Sequence, residues 1–158
     1  MLRRVRNFSW GSATAQAVAA LVLFAGVAKA MCLTEFEASI RQWNMIPAGI
    51  VPLVIVAIPL AEVAAGAMVL ADPRGFVSRI LLLILLFIFT AAIFVEASTS
   101  GEVTCNCFGP VSDQLELDAQ SLIVRNVLLI TVVAWSIVAS LKRRSAWRGY
   151  HKNEQASR

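Results

Sequence analysis

Ile80-Leu81-Leu82-Leu83-Ile84-Leu85-Leu86-Phe87-Ile88-Phe89 is an unbroken apolar run with no charge, glycine or proline in it. Extended to about residues 78–98, the segment reaches the roughly 20 residues that a helix needs to cross a bilayer core. Three similar segments accompany it, at about residues 13–31, 47–71 and 121–141. None alternates apolar and polar positions as the strands of a membrane barrel would. In lipid each segment must satisfy its own backbone hydrogen bonds, so each is expected to be a helix. The expected fold class is all-α, an integral membrane four-helix bundle.

Composition agrees. Of 158 residues, 58% are hydrophobic and only 15% charged, and the mean hydropathy is +0.72, too apolar for an ordinary soluble domain. There is no glycine-rich nucleotide loop, and a soluble enzyme is excluded. The net charge of +4 does not point to nucleic acid, because the basic residues cluster outside the apolar segments. Arg3, Arg4 and Arg6 lie at the start, and Lys142, Arg143, Arg144, Arg148, Lys152 and Arg158 at the end. Such clusters are topology signals.

With both termini in the cytoplasm, that side holds 11 of the 14 basic residues, including Arg74 and Arg79, and leaves Lys29, Arg41 and Arg125 outside. The expected organisation is therefore a cytoplasmic segment 1–12, a transmembrane domain 13–141 and a basic cytoplasmic tail 142–158, frayed from Ser145. The loops at 32–46 and 99–120 and all three cysteines then face outward. In a bacterial inner membrane, where we expect this multi-pass chain, that side is oxidising. The basic start, apolar run and Ala28-Lys29-Ala30 also have the form of a cleavable signal peptide; the span is the preferred reading.

The longer outward loop carries Cys105-Asn106-Cys107-Phe108-Gly109-Pro110. Cysteines at i and i+2 can be bridged only if the chain turns sharply. Closing so short a loop adds little stability, whereas strained, exposed disulfides are the labile and catalytic ones. Redox exchange is thus expected of Cys105 and Cys107, ahead of a loop-pinning disulfide, two unpaired thiols or a metal site. Cys32, at the same end, is a candidate to resolve or relay the disulfide; the bland alternative is a small apolar residue at a helix end. No metal is expected, since His151, the only histidine, lies in the tail and three cysteines do not complete a zinc site. Cu(I) held by the cysteines with Met31 or Met45 is a minority reading.

Charged residues within spans are functional candidates. Glu62 lies deep in the second span, where a carboxyl group costs about 2.5–3.5 kcal/mol to insert. It is expected to face the bundle interior at the depth of Thr131. Its role is a helix–helix hydrogen bond or, alternatively, a proton relay or quinone contact. Lys29 and Glu96 sit at equal depth and are expected to pair, unless each snorkels to the interface. With Arg125 and Asn126 they would form a structural polar ring beneath the cysteine loop. The small-residue runs at 13–20 and 61–67 suit close helix packing.

Read in order, Phe24, Gly26, Lys29, Phe36, Ile40, Ile46-Pro47, Pro59, Glu62, Gly66, Cys105, Cys107, Phe108, Gly109, Arg125 and Asn126 resemble the pattern of the methylamine utilisation protein MauE family, in the broader DoxX-like group. The resemblance covers roughly residues 20–140, and its C-x-C-F-G element is the most specific part. Asn106 departs from it, standing where the family usually has glycine. The resemblance implies a four-helix membrane protein that helps mature a disulfide-rich client, the small subunit of methylamine dehydrogenase, beside a thioredoxin-like extracytoplasmic protein. By analogy it is also similar to the helical core of quinone-linked thiol oxidases, which makes a quinone the one cofactor to consider.

The expected function is therefore a membrane redox and maturation protein that exchanges thiols and disulfides on the extracytoplasmic side. Its partners would be a thioredoxin-like protein, a disulfide-containing client and the lipid bilayer. The rival readings are a non-catalytic membrane anchor or assembly factor, and a DoxX-type subunit of a quinone-linked oxidoreductase complex.

Overall fold

The structure is a computed structural model that describes residues 10–73, 75–100 and 119–156, with side chains at 11–73, 75–99 and 120–142. The chain forms α1 (Trp10–Met31), α2 (Leu33–Arg41), a 3-10 turn (Ala48–Ile50), α3 (Val51–Ala71), α4 (Phe76–Ser100) and α5 (Ala119–Ala156). Among the described residues four stretches are long and apolar enough to span a bilayer: Gly11–Met31, Ala48–Ala71, Phe76–Thr99 and Gln120–Lys142. There is no strand among the described residues. The all-α membrane bundle expected from sequence is the fold. Two boundaries differ. The tail expected to fray from Ser145 continues α5 as helix to Ala156, and the loop expected at 32–46 contains α2.

The spans form a ring in which α1 lies against α3 and α5, and α4 against α5 and α3. The contact between α1 and α3 is the most extensive, and that between α3 and α4 the slimmest of the four. The hydrophobic effect does not drive helices together in lipid, so close packing and polar contacts must. Gly66 shows the packing. A Cβ there would stand 2.7 Å from the Leu23 Cβ and 2.8 Å from the Ala19 carbonyl oxygen. Gly26 repeats the arrangement from the other helix, with 2.8 Å to the Glu62 Cβ and 3.0 Å to the Pro59 carbonyl oxygen. The small-residue runs expected to pack closely meet here.

Along α4 the buried positions are Ser78, Arg79, Leu82, Leu86, Ile93 and Glu96, a stripe at three-, four- and seven-residue spacing that faces the other helices. Leu81, Ile84, Phe87, Ile88, Phe94 and Val95 are equally apolar but exposed, as positions facing lipid would be. The main core joins Ala15, Ala19 and Val22 of α1 to Ala65 and Val69 of α3, Leu82 and Leu86 of α4, and Val133 and Ile137 of α5.

The two ends of the bundle are closed differently. At one end α3 gives way to α4 after Asp72 and Pro73, with the Gly75 N–H donating to the Asp72 carbonyl at 3.0 Å. There Arg79, 3% exposed, donates to the Ser136 carbonyl and the Ser140 hydroxyl of α5, each at 3.2 Å, and to the Pro73 carbonyl. At the other end α2 is the cover. Its residues Phe36 and Ile40 are buried against Val51, Val54, Ile55 and Ile58 of α3. The register explains the space it fills. Gly26 lies level with Pro59 and Glu62, and Gly66 level with Ala19 and Leu23. In an antiparallel pair, α1 therefore ends about five residues, or roughly 7.5 Å, short of the start of α3. The covering helix sits in that step.

Candidate functional site

Beneath α2 an ion pair is buried in the bundle. Lys29 Nζ lies 2.5 Å from Glu62 Oε1, and both side chains are almost wholly shielded from solvent. The ammonium group also stands over two aromatic rings, 5.8 Å from the centroid of Phe36 and 5.4 Å from that of Phe89, within cation–π range. Gly26 makes this possible, because its missing side chain brings the α3 backbone close to α1 one turn before Lys29. Pro59, one turn before Glu62 within α3, leaves the Ile55 carbonyl without its helical donor.

The pairing differs from the one expected. Lys29 bonds Glu62 rather than Glu96. The step between α1 and α3 is the reason: counting inward from helix ends places Glu62 far deeper than Lys29, but the helix register brings them within about a turn, near enough for the long Lys29 side chain to reach. Glu96, 0% exposed, accepts the backbone N–H groups of Asn44 at 3.0 Å and Met45 at 3.3 Å. It thereby fastens the chain leaving α2 to the end of α4. Glu62 does face the interior, but Thr131 does not meet it. Thr131 is exposed and donates to the Val127 carbonyl of its own helix at 2.8 Å.

A cavity of about 330 Å³ surrounds the ion pair, within the usual size of small-molecule sites. All four spans and α2 line it. Its walls are mainly aliphatic and aromatic, and its polar side chains include Lys29, Glu62, Arg125 and Asn126. Arg125, half-buried, lies near enough for its charge to act on Glu62. Trp43 also lines the cavity and is 8% exposed. Its indole N–H and Glu62 Oε2 are buried with no hydrogen-bond partner among the described residues. Buried polar atoms are normally satisfied, so these two are notable.

The sequence-predicted residues thus divide. Lys29, Glu62 and Arg125 come together around the cavity, and Glu96 holds the covering chain beside it. Cys32 stands at the N-cap of α2, half-buried and not in a disulfide. Cys105 and Cys107 lie outside the described residues. Sequence reasoning missed Trp43 and Phe89. The spacing Phe36, Ile40, Trp43 is helical and was the available signal for the first; Phe89, inside a uniformly apolar span, gives none.

Four spans, a short amphipathic cover and a charged pair inside the bundle define a multi-pass membrane protein with a buried polar site near one end. The chain belongs to the MauE family, whose model, described as methylamine utilisation protein MauE, matches residues 8–139. No curated protein and no solved structure matches it.

Proposed function

We propose that this chain is a membrane thiol–disulfide exchange protein of a bacterial inner membrane, serving the maturation of a disulfide-containing client. The observation that carries this is the Cys105-Asn106-Cys107 pair, set between the end of α4 and the start of α5. Helix ends on either side of that connection bear Glu96 and Arg125, so the pair is tethered at the end of the bundle that holds the buried site. The charge distribution supports placing this end outside, in the compartment where disulfides persist.

In the exchange, a thiolate of a thioredoxin-like partner attacks the Cys105–Cys107 disulfide. One sulfur forms the mixed disulfide and the other leaves as a thiolate. A second thiol of the partner then displaces the bound cysteine. The partner ends as a disulfide and Cys105 and Cys107 as a dithiol, so two electrons have moved into the membrane protein. The oxidised partner passes its disulfide to the client in the same way. Cys32, at the base of α2, stands at the same end and is a candidate to resolve the mixed species.

The test is a trapping experiment in native membranes with Cys105→Ser and Cys107→Ser singly. The expected result is that at least one single variant accumulates a reductant-sensitive adduct with a second protein, and that the double variant accumulates none. Absence of adducts in both single variants, with the native pair locked in one redox state, would reduce the loop to a structural part of a membrane scaffold.

A further inference from the structure

The cavity under α2 opens toward the bilayer. Ala57 of α3 and Ile88 of α4 both line it, and both are exposed on the bundle surface. The opening therefore lies on the seam between α3 and α4, the slimmest in the ring. Both residues stand near the middle of their spans, Ala48–Ala71 and Phe76–Thr99. At that depth a bilayer holds the inner parts of its acyl chains, and headgroups lie about 15 Å away.

The lining decides what can enter. Side chains such as Val22, Ala25, Ile58, Leu85 and Phe89 give walls that are almost wholly hydrocarbon. Lys29 and Glu62 are engaged with each other. The unpartnered Trp43 N–H and Glu62 Oε2 are buried within the wall rather than presented to the space. A polar ligand would give up its hydration there without recovering it. Water would fare no better, because it needs polar partners on several sides. An empty space of about 330 Å³ would forfeit the dispersion contacts of every group around it. At about 30 Å³ for a group the size of a water or a methylene, the space takes roughly eleven of them. That is part of one acyl chain and far short of a whole lipid.

We infer that one acyl chain of a membrane phospholipid enters between α3 and α4 and occupies this cavity, its end lying under α2 beside the Lys29–Glu62 pair. The headgroup stays at the membrane interface, outside the bundle. The chain completes the packing that α2 covers and keeps water from the ion pair. The site is independent of the thiol exchange proposed above and needs neither Cys105 nor Cys107.

The experiment uses the full chain reconstituted in vesicles of phosphatidylethanolamine and phosphatidylglycerol. These carry a small share of phosphatidylcholine with a diazirine midway along one acyl chain. After irradiation, adducts are located by mass spectrometry of the digested protein. Outer adducts are expected at Leu53, Leu60 and Phe94, which are exposed on the bundle surface. Inner adducts are expected at Val22, Ala25 and Leu86, which line the cavity and are buried. Ala61→Phe, which fills the cavity from α3, should abolish the inner adducts and leave the outer ones. Ala64→Phe, on the exposed side of the same helix, should change neither set, and the Cys105→Ser, Cys107→Ser double variant should give the native map. If Ala61→Phe fails to fold, the native map decides alone. Adducts confined to the outer positions overturn the site. So do inner adducts that survive in folded Ala61→Phe, and inner adducts formed by a free diazirine fatty acid but not by the phospholipid.

Discussion

Two buried charged clusters sit near opposite ends of this bundle, and they are completed in different ways. Near the α3–α4 turn, Arg79 directs its guanidinium to the Ser136 carbonyl, the Ser140 hydroxyl and the Pro73 carbonyl. Its partners are backbone and short side chains of neighbouring elements, and Arg79 is not among the residues lining the cavity. Such a cluster ties α4 to α5 and to the turn. Under α2, Lys29 and Glu62 bond each other, but a Glu62 carboxylate oxygen and the Trp43 indole N–H remain buried without partners among the described residues, and both residues line a space of about 330 Å³. The first cluster uses charge as a fastening. The second holds charge ready beside a cavity. Buried ionisable groups in a membrane are expensive in either case, and the two clusters differ in the kind of partner each one has.

The comparison can be broken by substitutions. The largest effect is expected from Lys29→Met, which leaves Glu62 buried without its countercharge and should cost about 3–5 kcal/mol. Adding Glu62→Leu should restore most of that stability without restoring function. A double-mutant cycle of thermal unfolding in detergent checks it, and simple additivity would show that the two residues do not act as a unit. Arg79→Met should cost about 1.5–3 kcal/mol, the range for hydrogen bonds to charged groups. In the variant that still folds, adduct trapping should match the native chain; a loss there would make the turn-end cluster functional too.

Gly66→Ala tests the packing that sets the register of the ion pair. Its new Cβ would meet Leu23 and Ala19, and overpacking of this kind costs about 1–3 kcal/mol. Gly49→Ala, whose Cβ would find nothing within 4 Å, is the matched control and should leave the melt unchanged. The smallest effect is expected from Glu96→Gln. It keeps one carbonyl acceptor for the Asn44 and Met45 N–H groups and should cost about 1 kcal/mol. Amide hydrogen exchange at those two residues should quicken while the rest of the chain stays as it was.

The spans were readable because length and hydropathy alone decide them, and the helical class followed from the backbone's need for internal hydrogen bonds. Orientation of the helices about their axes was hardly readable. Leu81 and Leu82 are identical in chemistry, yet one is exposed and the other fully buried, because lipid and protein interior are both apolar. Glu62 marked its inward face through its charge. The Lys29 partner was misassigned because depth was counted from helix ends. That count fails where α1 stops a turn and a half or so short of α3, and the step follows from the glycine contacts rather than from the length of either span. The covering helix was missed because nine residues with five of them polar or charged, Thr34, Glu35, Glu37, Ser39 and Arg41, read as a loop beside spans of twenty. Only the spacing of Phe36 and Ile40 gave it away. The cysteine motif was visible in the sequence, and Cys105 and Cys107 lie outside the described residues.

The central claim is that Cys105 and Cys107 form an exchangeable disulfide on the outer face of the membrane. It is tested most directly by labelling intact cells with a membrane-impermeant mass-tagging maleimide, before and after brief treatment with a membrane-impermeant reductant, using a Cys32→Ser chain so that only the pair reports. The account predicts no tag before reduction and a tag on both cysteines after it. Tagging without reductant, or tagging only once the membrane has been permeabilised, would contradict it.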